Sequence, residues 1–431
     1  MTQKARETFD VIILGAGASG LMCASVAAER GKSVLLADHG PKPGRKLAVT
    51  GGGKCNLTNR DVTLRDYVGE NPQFCRSALS RCTPGNILDM CSEAGIATEE
   101  REHGQIFCQR SARDLVNFLV RKCLNLGCRI ILEEKILAAE TSPVREPSPP
   151  SSGETAARPR FYVHTSGSRH EGRSLVIALG GPAWPQVGAS GTGYELARTF
   201  GHRIVPIRPV LTGLVMSGNW PLLGLSGLST TASIRVLPPD GSEREAMRKT
   251  GGHNRQNTGI LAADTLPLLF THKGISGPAT LQASLYWRKN DRLLLDFLPG
   301  PALSALLDDP ASGKMLCRNL FRRHLPDRLC DALLPAELGG KKVAETSRRE
   351  RERLTAIFKA HHVIPTGSEG FAKAEAAAGG VSTEDVSSRS MESKQVPGLF
   401  FCGEVLDVTG RLGGYNLHWA FASGSAAGRH V

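Results

Sequence analysis

Residues 10–38 read DVIILGAGASGLMCASVAAERGKSVLLAD. DVIIL is a short apolar run that ends in glycines, the pattern of a strand buried on both faces of a parallel sheet. A helix is expected from about Ser19 to Arg30, stopped by Gly31, and a second strand over Ser33–Ala37 that ends at Asp38. Between strand and helix stands Gly15-x-Gly17-x-x-Gly20. Gly15 permits the tight turn, Gly17 lets the backbone approach a pyrophosphate, and Gly20 lets helix and strand pack closely. Ala18 and Ser19 contribute the first amides of the helix, whose N-terminus favours negative charge. Asp38, eighteen residues after Gly20, is placed to accept from a ribose hydroxyl and disfavours a 2′-phosphate. This β-α-β unit predicts a bound dinucleotide, FAD or NAD.

Farther along, helical patterns cover 72–82, 84–94 and 111–126, and a strand is expected near 129–139. Residues 141–160, TSPVREPSPPSSGETAARPR, read as a surface loop, because strand-like FYVHT and LVIAL follow at once. After Gly201 the texture changes. Pro206, Pro209, the Gly/Ser-rich 213–229 and TASIRVL predict a mostly β region, with a second polar insertion at 239–258. Residues 301–360 read as short basic helices, and strand-like GLFFCG returns at 398–403.

Distant glycines decide between the two dinucleotides. LVIALGG (175–181) is an apolar strand ending in Gly180-Gly181. LFFCGEVLDVTG (399–410) sets Gly403, Glu404 and Asp407 behind a strand, followed by Gly413-Gly414-Tyr415-Asn416 and a small-residue helix. FAD, whose ribityl chain and flavin extend beyond the first fingerprint, needs such a second grip. The stretch GRKLAVTGGGKCNLTN (44–59) adds Arg45, Lys46, Gly52, Gly53 and Asn56 as further contacts, in a cationic, backbone-rich loop suited to an anionic or flavin-edge partner. By composition alone that loop is equally an ordinary turn. Gly188-x-x-Gly191-x-Gly193 reads as a plain helix start, with phosphate contact as the alternative. No second GxGxxG marks a resident nicotinamide domain.

The blocks 44–59, ALGGPAWPQVGASGTGYELARTFGH (178–202), LLFTHKGISGPA (268–279), MESK (391–394) and GLFFCGEVLDVTGRLGGYNLHWAFASG (398–424) together resemble the HI0933-like flavoprotein family. It is also known as the BaiN/RdsA-type or "aminoacetone oxidase family" of FAD-binding proteins. The resemblance spans nearly the whole chain and implies an α/β fold. A two-dinucleotide-binding-type FAD Rossmann domain would come from both chain ends, 1–203 with 365–431. A β-barrel-like substrate domain would occupy 204–300, with returning strands near 345–364, and a small basic helical domain 301–344. Departures are Cys108, where the family usually has proline, the two insertions, and Leu417-His418 in place of Phe-Gln.

Activities linked to the family are dihydrouridine formation in large-subunit (23S) ribosomal RNA, reduction of an unsaturated bile-acid intermediate, and aminoacetone oxidation. The first two share hydride delivery from reduced flavin to an activated C=C bond, with NADH or NADPH as a visiting reductant. The expected activity is therefore an FAD-dependent oxidoreductase acting on a uridine of ribosomal RNA. The alternatives are a small-metabolite flavoenzyme and a non-catalytic ribosome-binding module. The resemblance places Cys55 near the flavin, where its thiol either donates the proton to the neighbouring carbon or only packs. Tyr415 and His418 are the next candidates for the donor.

Composition agrees with a globular chain. Of 431 residues, 40% are hydrophobic and 22% charged. No apolar run of about 18 residues exists, so no transmembrane helix is expected, and Glu7 and Asp10 spoil a signal-peptide reading. Eleven cysteines without a CxxC pair argue against a disulfide framework or zinc site and for a cytoplasmic address. His272 and His361-His362 have no metal-ligand company, so no metal is expected. The net charge of +12 favours polyanionic partners. Residues 313–360 hold 12 Lys+Arg against 6 Asp+Glu, so 12 − 6 = +6 of that excess. That segment is either a solvated helical face or a nucleic-acid surface. Oligomeric state is not readable.

Overall fold

Strand β1 (Thr8–Leu14) runs parallel to β2 (Val34–Ala37) on one side and to Arg169–Ile177 on the other. Beyond β2 lies Arg129–Ile131, and beyond Arg169–Ile177 lies Leu399–Phe401, both again parallel. Chain order therefore reverses between β1 and Arg169–Ile177, and a doubly wound sheet binds its ligand at the carboxyl ends beside such a reversal. All four residues of β2, and Val11–Leu14 of β1, are buried, as expected of strands covered on both faces. Helix α1 (Ala18–Glu29) covers one face together with the C-terminal helix, Tyr415–Gly428.

The computed structural model describes residues 8–142, 160–239, 265–300 and 302–431. Residues 143–159 and 240–264, most of the two expected insertions, lie outside it. The chain divides into two compact units, one from Met1–Arg208 with Ala376–Val431, the other from Pro209–Glu375. The second unit holds a seven-stranded antiparallel sheet, whose order runs from His361–Val363 through Arg292–Asp296, Ser229–Leu237, Leu266–Phe270, Gly274–Ser276 and Leu214–Val215 to Gly367–Ser368. The helices between 303 and 358 share one apolar core with these strands, through Leu320, Phe321, Leu329, Leu354 and Phe358.

Local structure departs from the sequence expectation in two places. The single strand near 129–139 is two, Arg129–Ile131 and Ile136–Thr141. Between them Glu133 takes φ 61°, and Glu133 N and Glu134 N donate to Gly40 O and Asp38 O, which turns the chain. Of the region near 345–364, only His361–Val363 is a strand. RRERERLTAIF forms the helix Arg348–Phe358, started by a capping box between Ser347 and Glu350.

Candidate active site

The fingerprint turn is built by backbone. Gly15 N donates to Ala37 O at 2.8 Å, and a Cβ on Gly20 would lie 1.9 Å from Gly15 O, so only glycine fits where helix meets turn. Around Gly17 the space is open: nothing lies within 4 Å of where its Cβ would be. Gly17 is the N-cap of α1, no side chain caps it, and the first intrahelical bond is Leu21 N to Gly17 O at 2.9 Å. The amides of Ala18, Ser19 and Gly20 precede that bond and carry the positive end of the helix dipole. Asp38 Oδ2 accepts from Ala16 N and Oδ1 from Gly40 N, each at 2.7 Å. Each carboxylate oxygen retains a further lone pair for a ribose hydroxyl. Arg45 is wedged beside it. A Cβ on Gly188 would sit 2.0 Å from its guanidinium, and His39 Nε2 lies 3.1 Å from Arg45 Nη2 and 2.8 Å from Gly188 O.

A second uncapped helix start stands at Gly414. Its φ is 94°, a Cβ there would lie 2.4 Å from Thr58 O, and it N-caps the C-terminal helix without a side-chain bond. The two helices meet backbone to backbone. A Cβ on Gly424 would lie 2.4 Å from Ser19 O, and one on Gly428 2.7 Å from Cys23 O. Because Gly424 touches the first turn of α1, nine residues of helix, about 14 Å, separate the two starts. That span suits a ligand with an anionic centre at one end and an electron-rich ring at the other.

Between them Lys46 Nζ pairs with Glu404 Oε2 at 2.8 Å, and Glu404 Oε1 accepts from Ala377 N at 2.8 Å. Gly403 lies against Ser19 and Gly181 against the Tyr194 hydroxyl, while Gly180 takes φ 69° beside Glu404. Gly52 and Gly53, both left-handed, have open space around them, and the Asn56 and Gln105 amides bond at 2.7 Å. Tyr415 is half-buried, and its carbonyl accepts from the Tyr67 hydroxyl at 3.0 Å.

Four expected site residues turn inward. Asn416 Oδ1 accepts from Gly410 N and its Nδ2 donates to Gly410 O, at 2.8 and 2.9 Å, so its amide clamps a turn. Asp407 is buried and accepts from Glu70 N at 2.8 Å, and burial raises its pKa. Cys55 is fully buried beside Cys108, and that neighbour and then burial push its thiol well up. His418 is fully buried too. Its Nε2 lies 2.8 Å from the Cys82 carbonyl, which can only accept, so Nε2 carries the hydrogen and Nδ1 accepts from Thr58 Oγ1 at 2.7 Å. Burial lowers its pKa to about 4. The sequence reading missed Thr58, Asn59, Tyr67 and Gln105. Of the helix packing, only Gly424-x-x-x-Gly428 was a visible signal. Asn59 Nδ2 donates to Gly413 O at 3.2 Å, which fixes the second helix start.

In the second unit, most cations of the 313–360 segment are spoken for. Arg322 pairs with Asp331 (2.6 Å), Lys341 with Glu350 (2.9 Å), Arg348 with Glu352 (3.0 Å), Arg353 with Glu337 (3.0 Å), and Arg351 with Asp308. Lys314, Arg323 and Arg349 form no ion pair among the described residues. Among those residues no group of three or more His, Cys, Asp or Glu could hold a metal, and no helix is long and apolar enough to cross a membrane.

A family model described as the HI0933-like protein Rossmann domain matches residues 9–430. The chain is 36% identical over 428 residues to the "Ribosomal RNA dihydrouridine synthase" of Escherichia coli K12, covering 99% of this chain and 98% of that one. The protein of the same name from Haemophilus influenzae is 36% identical, with 96% of each chain covered. A "3-dehydro-bile acid delta(4,6)-reductase" from Clostridium scindens is 30% identical, with 97% of each covered.

Proposed function

The chain belongs to the HI0933-like protein family, and from that premise we propose that it is an FAD-dependent, NAD(P)H-driven oxidoreductase that reduces uridine in ribosomal RNA to dihydrouridine. The observation that carries this is the pair of uncapped helix starts about 14 Å apart on glycine-packed helices. Bound there, FAD supplies two-electron chemistry, accepting hydride from a nicotinamide and delivering it to carbon. The Ala18, Ser19 and Gly20 amides would hold the pyrophosphate and Asp38 a ribose hydroxyl, with Arg45 beside it. The Gly414 start would take the electron-rich ring edge, with Asn56 and Gln105 alongside. Lys46 and Glu404 flank the intervening chain.

Reduction of a C=C bond also needs a proton at the second carbon. Cys55 and His418 are enclosed by protein, and the one hydrogen on the His418 ring is given to Cys82 O. Half-buried Tyr415, at the helix start, is the donor we assign. The test measures flavin bleaching by NADH and NADPH, then dihydrouridine by nucleoside mass spectrometry on an rRNA fragment. Tyr415→Phe should bleach normally while product formation drops about 10²-fold or more, the usual acid–base contribution. Cys55→Ala should lose neither. A Cys55→Ala protein that bleaches but makes no product returns the role to the thiol.

A second reading, reduction of an enone in a small metabolite, is favoured by the ion pairing of the basic segment. That pairing leaves few cations for phosphate. Bleaching and turnover with an enone but not with RNA would select it.

A further inference from the structure

Cys55 and Cys108 lie outside the reaction as we assign it above. Asn56 is paired with Phe107 across antiparallel strands, and just beyond that pair Cys108 N donates to Lys54 O at 2.9 Å and to Cys55 O at 3.3 Å. In a hydrogen-bonded antiparallel pair the two Cα atoms lie about 5.5 Å apart. A disulfide spans about 4.4–6.8 Å. Both residues are fully buried, and each thiol acts on the other, raising the pKa of Cys55 and lowering that of Cys108. Cys55 itself takes φ 55°, and Gly51, Gly52 and Gly53, all left-handed, lead into it, with Gly51 and Gly52 exposed. Such a loop opens locally at low cost. Cys123 and Cys128 are also neighbours, Cys128 N donating to Cys123 O at 3.0 Å, but each donates its S–H to a carbonyl of α1, at 3.5 and 3.7 Å.

We propose that Cys55 and Cys108 form an oxidation site, a dithiol that hydrogen peroxide converts into a disulfide tying the glycine loop to the strand Gln105–Cys108. Peroxide oxidises the Cys108 sulfur to a sulfenic acid, its O–O bond breaking and one water leaving. The Cys55 sulfur attacks that sulfur, the S–S bond forms, the S–O bond breaks, and a second water leaves with the remaining proton. Two thiols and one peroxide thus give one disulfide and two waters. The site is independent of which substrate the enzyme reduces.

The flavin-loaded protein is treated with hydrogen peroxide without denaturant, alkylated, and mapped by mass spectrometry. Expected is a linked peptide joining residues 55 and 108, with loss of two of the eleven thiols, reversed by dithiothreitol. Cys108→Ser should keep all ten of its remaining thiols under the same dose. Eleven surviving thiols in the parent, or a different pair linked first, overturns the proposal. Absence of flavin from the purified parent would instead sink the cofactor reading and leave the thiol mapping to stand on its own.

Discussion

In the first unit α1 meets the C-terminal helix backbone to backbone, Gly424 over Ser19 O and Gly428 over Cys23 O. In the second, helices meet through side chains. Phe321 and Phe358 stack with centroids 4.1 Å apart, and Arg353 reaches Glu337. The two kinds of contact have different tolerances. A packed ring can be exchanged for another apolar group at modest cost. A backbone approach under 3 Å has no substitute for glycine. The difference teaches where a ligand can be gripped, because amides reach a phosphate or a flavin edge only where side chains are missing.

The largest effect that would break this comparison is on the fingerprint itself. Gly20→Val should cost about 4 kcal/mol or more, since its Cβ meets Gly15 O. Gly17→Val should melt near the parent temperature yet purify without FAD, because its side chain fills the open approach. Thermal unfolding and flavin absorbance on both proteins decide it, and equal losses of stability would show that Gly17 is a packing position.

An intermediate effect concerns His418. Its pKa falls from 6.5 to about 4 on folding, so the fold prefers the neutral ring. The contribution is complete above pH 6.5 and is lost progressively as pH falls toward 4, by up to roughly 3 kcal/mol. His418→Gln offers the same donor to Cys82 O and the same acceptor to Thr58, but does not titrate. Urea unfolding between pH 4 and 7 should show a flatter dependence in this variant than in the parent. Parallel curves would mean that the ring is not neutral in the fold.

The smallest effect sharpens the comparison from the second unit. Arg323→Glu with Arg349→Glu should weaken RNA binding and reduce its log–log salt slope by about 2, one for each lost phosphate contact. Flavin content should not change. A slope equal to the parent's favours the small-metabolite reading.

The β-α-β start was legible because each of its rules is local: an apolar run, spaced glycines, an acid at a strand end. The second helix start was legible as glycines but not as geometry. Nothing in NLTN announces that Thr58 O will fill the space beside Gly414, or that Thr58 will hold His418, 360 residues away. Cys55 was placed near the flavin by the resemblance alone, and only the fold shows that its left-handed backbone seats it beside Cys108. The basic segment shows the same limit. Its charge was countable, but pairs such as Lys341–Glu350 and Arg353–Glu337 depend on which helices touch. The strand Ile136–Thr141 was merged with its predecessor because a single turn residue, Glu133, marks the break.

The seam between α1 and the C-terminal helix also sets a timetable. Ser19 leaves a ribosome 405 residues before Gly424, which closes over it. At about 5–20 residues per second, α1 waits tens of seconds for its cover, with Leu21 and Cys23 beside an unfinished face. The second unit is one continuous stretch, Pro209–Glu375, and can complete its core during that wait. A cofactor that grips both helix starts cannot be held before the second of them is made, so its loading would wait for the C-terminal helix.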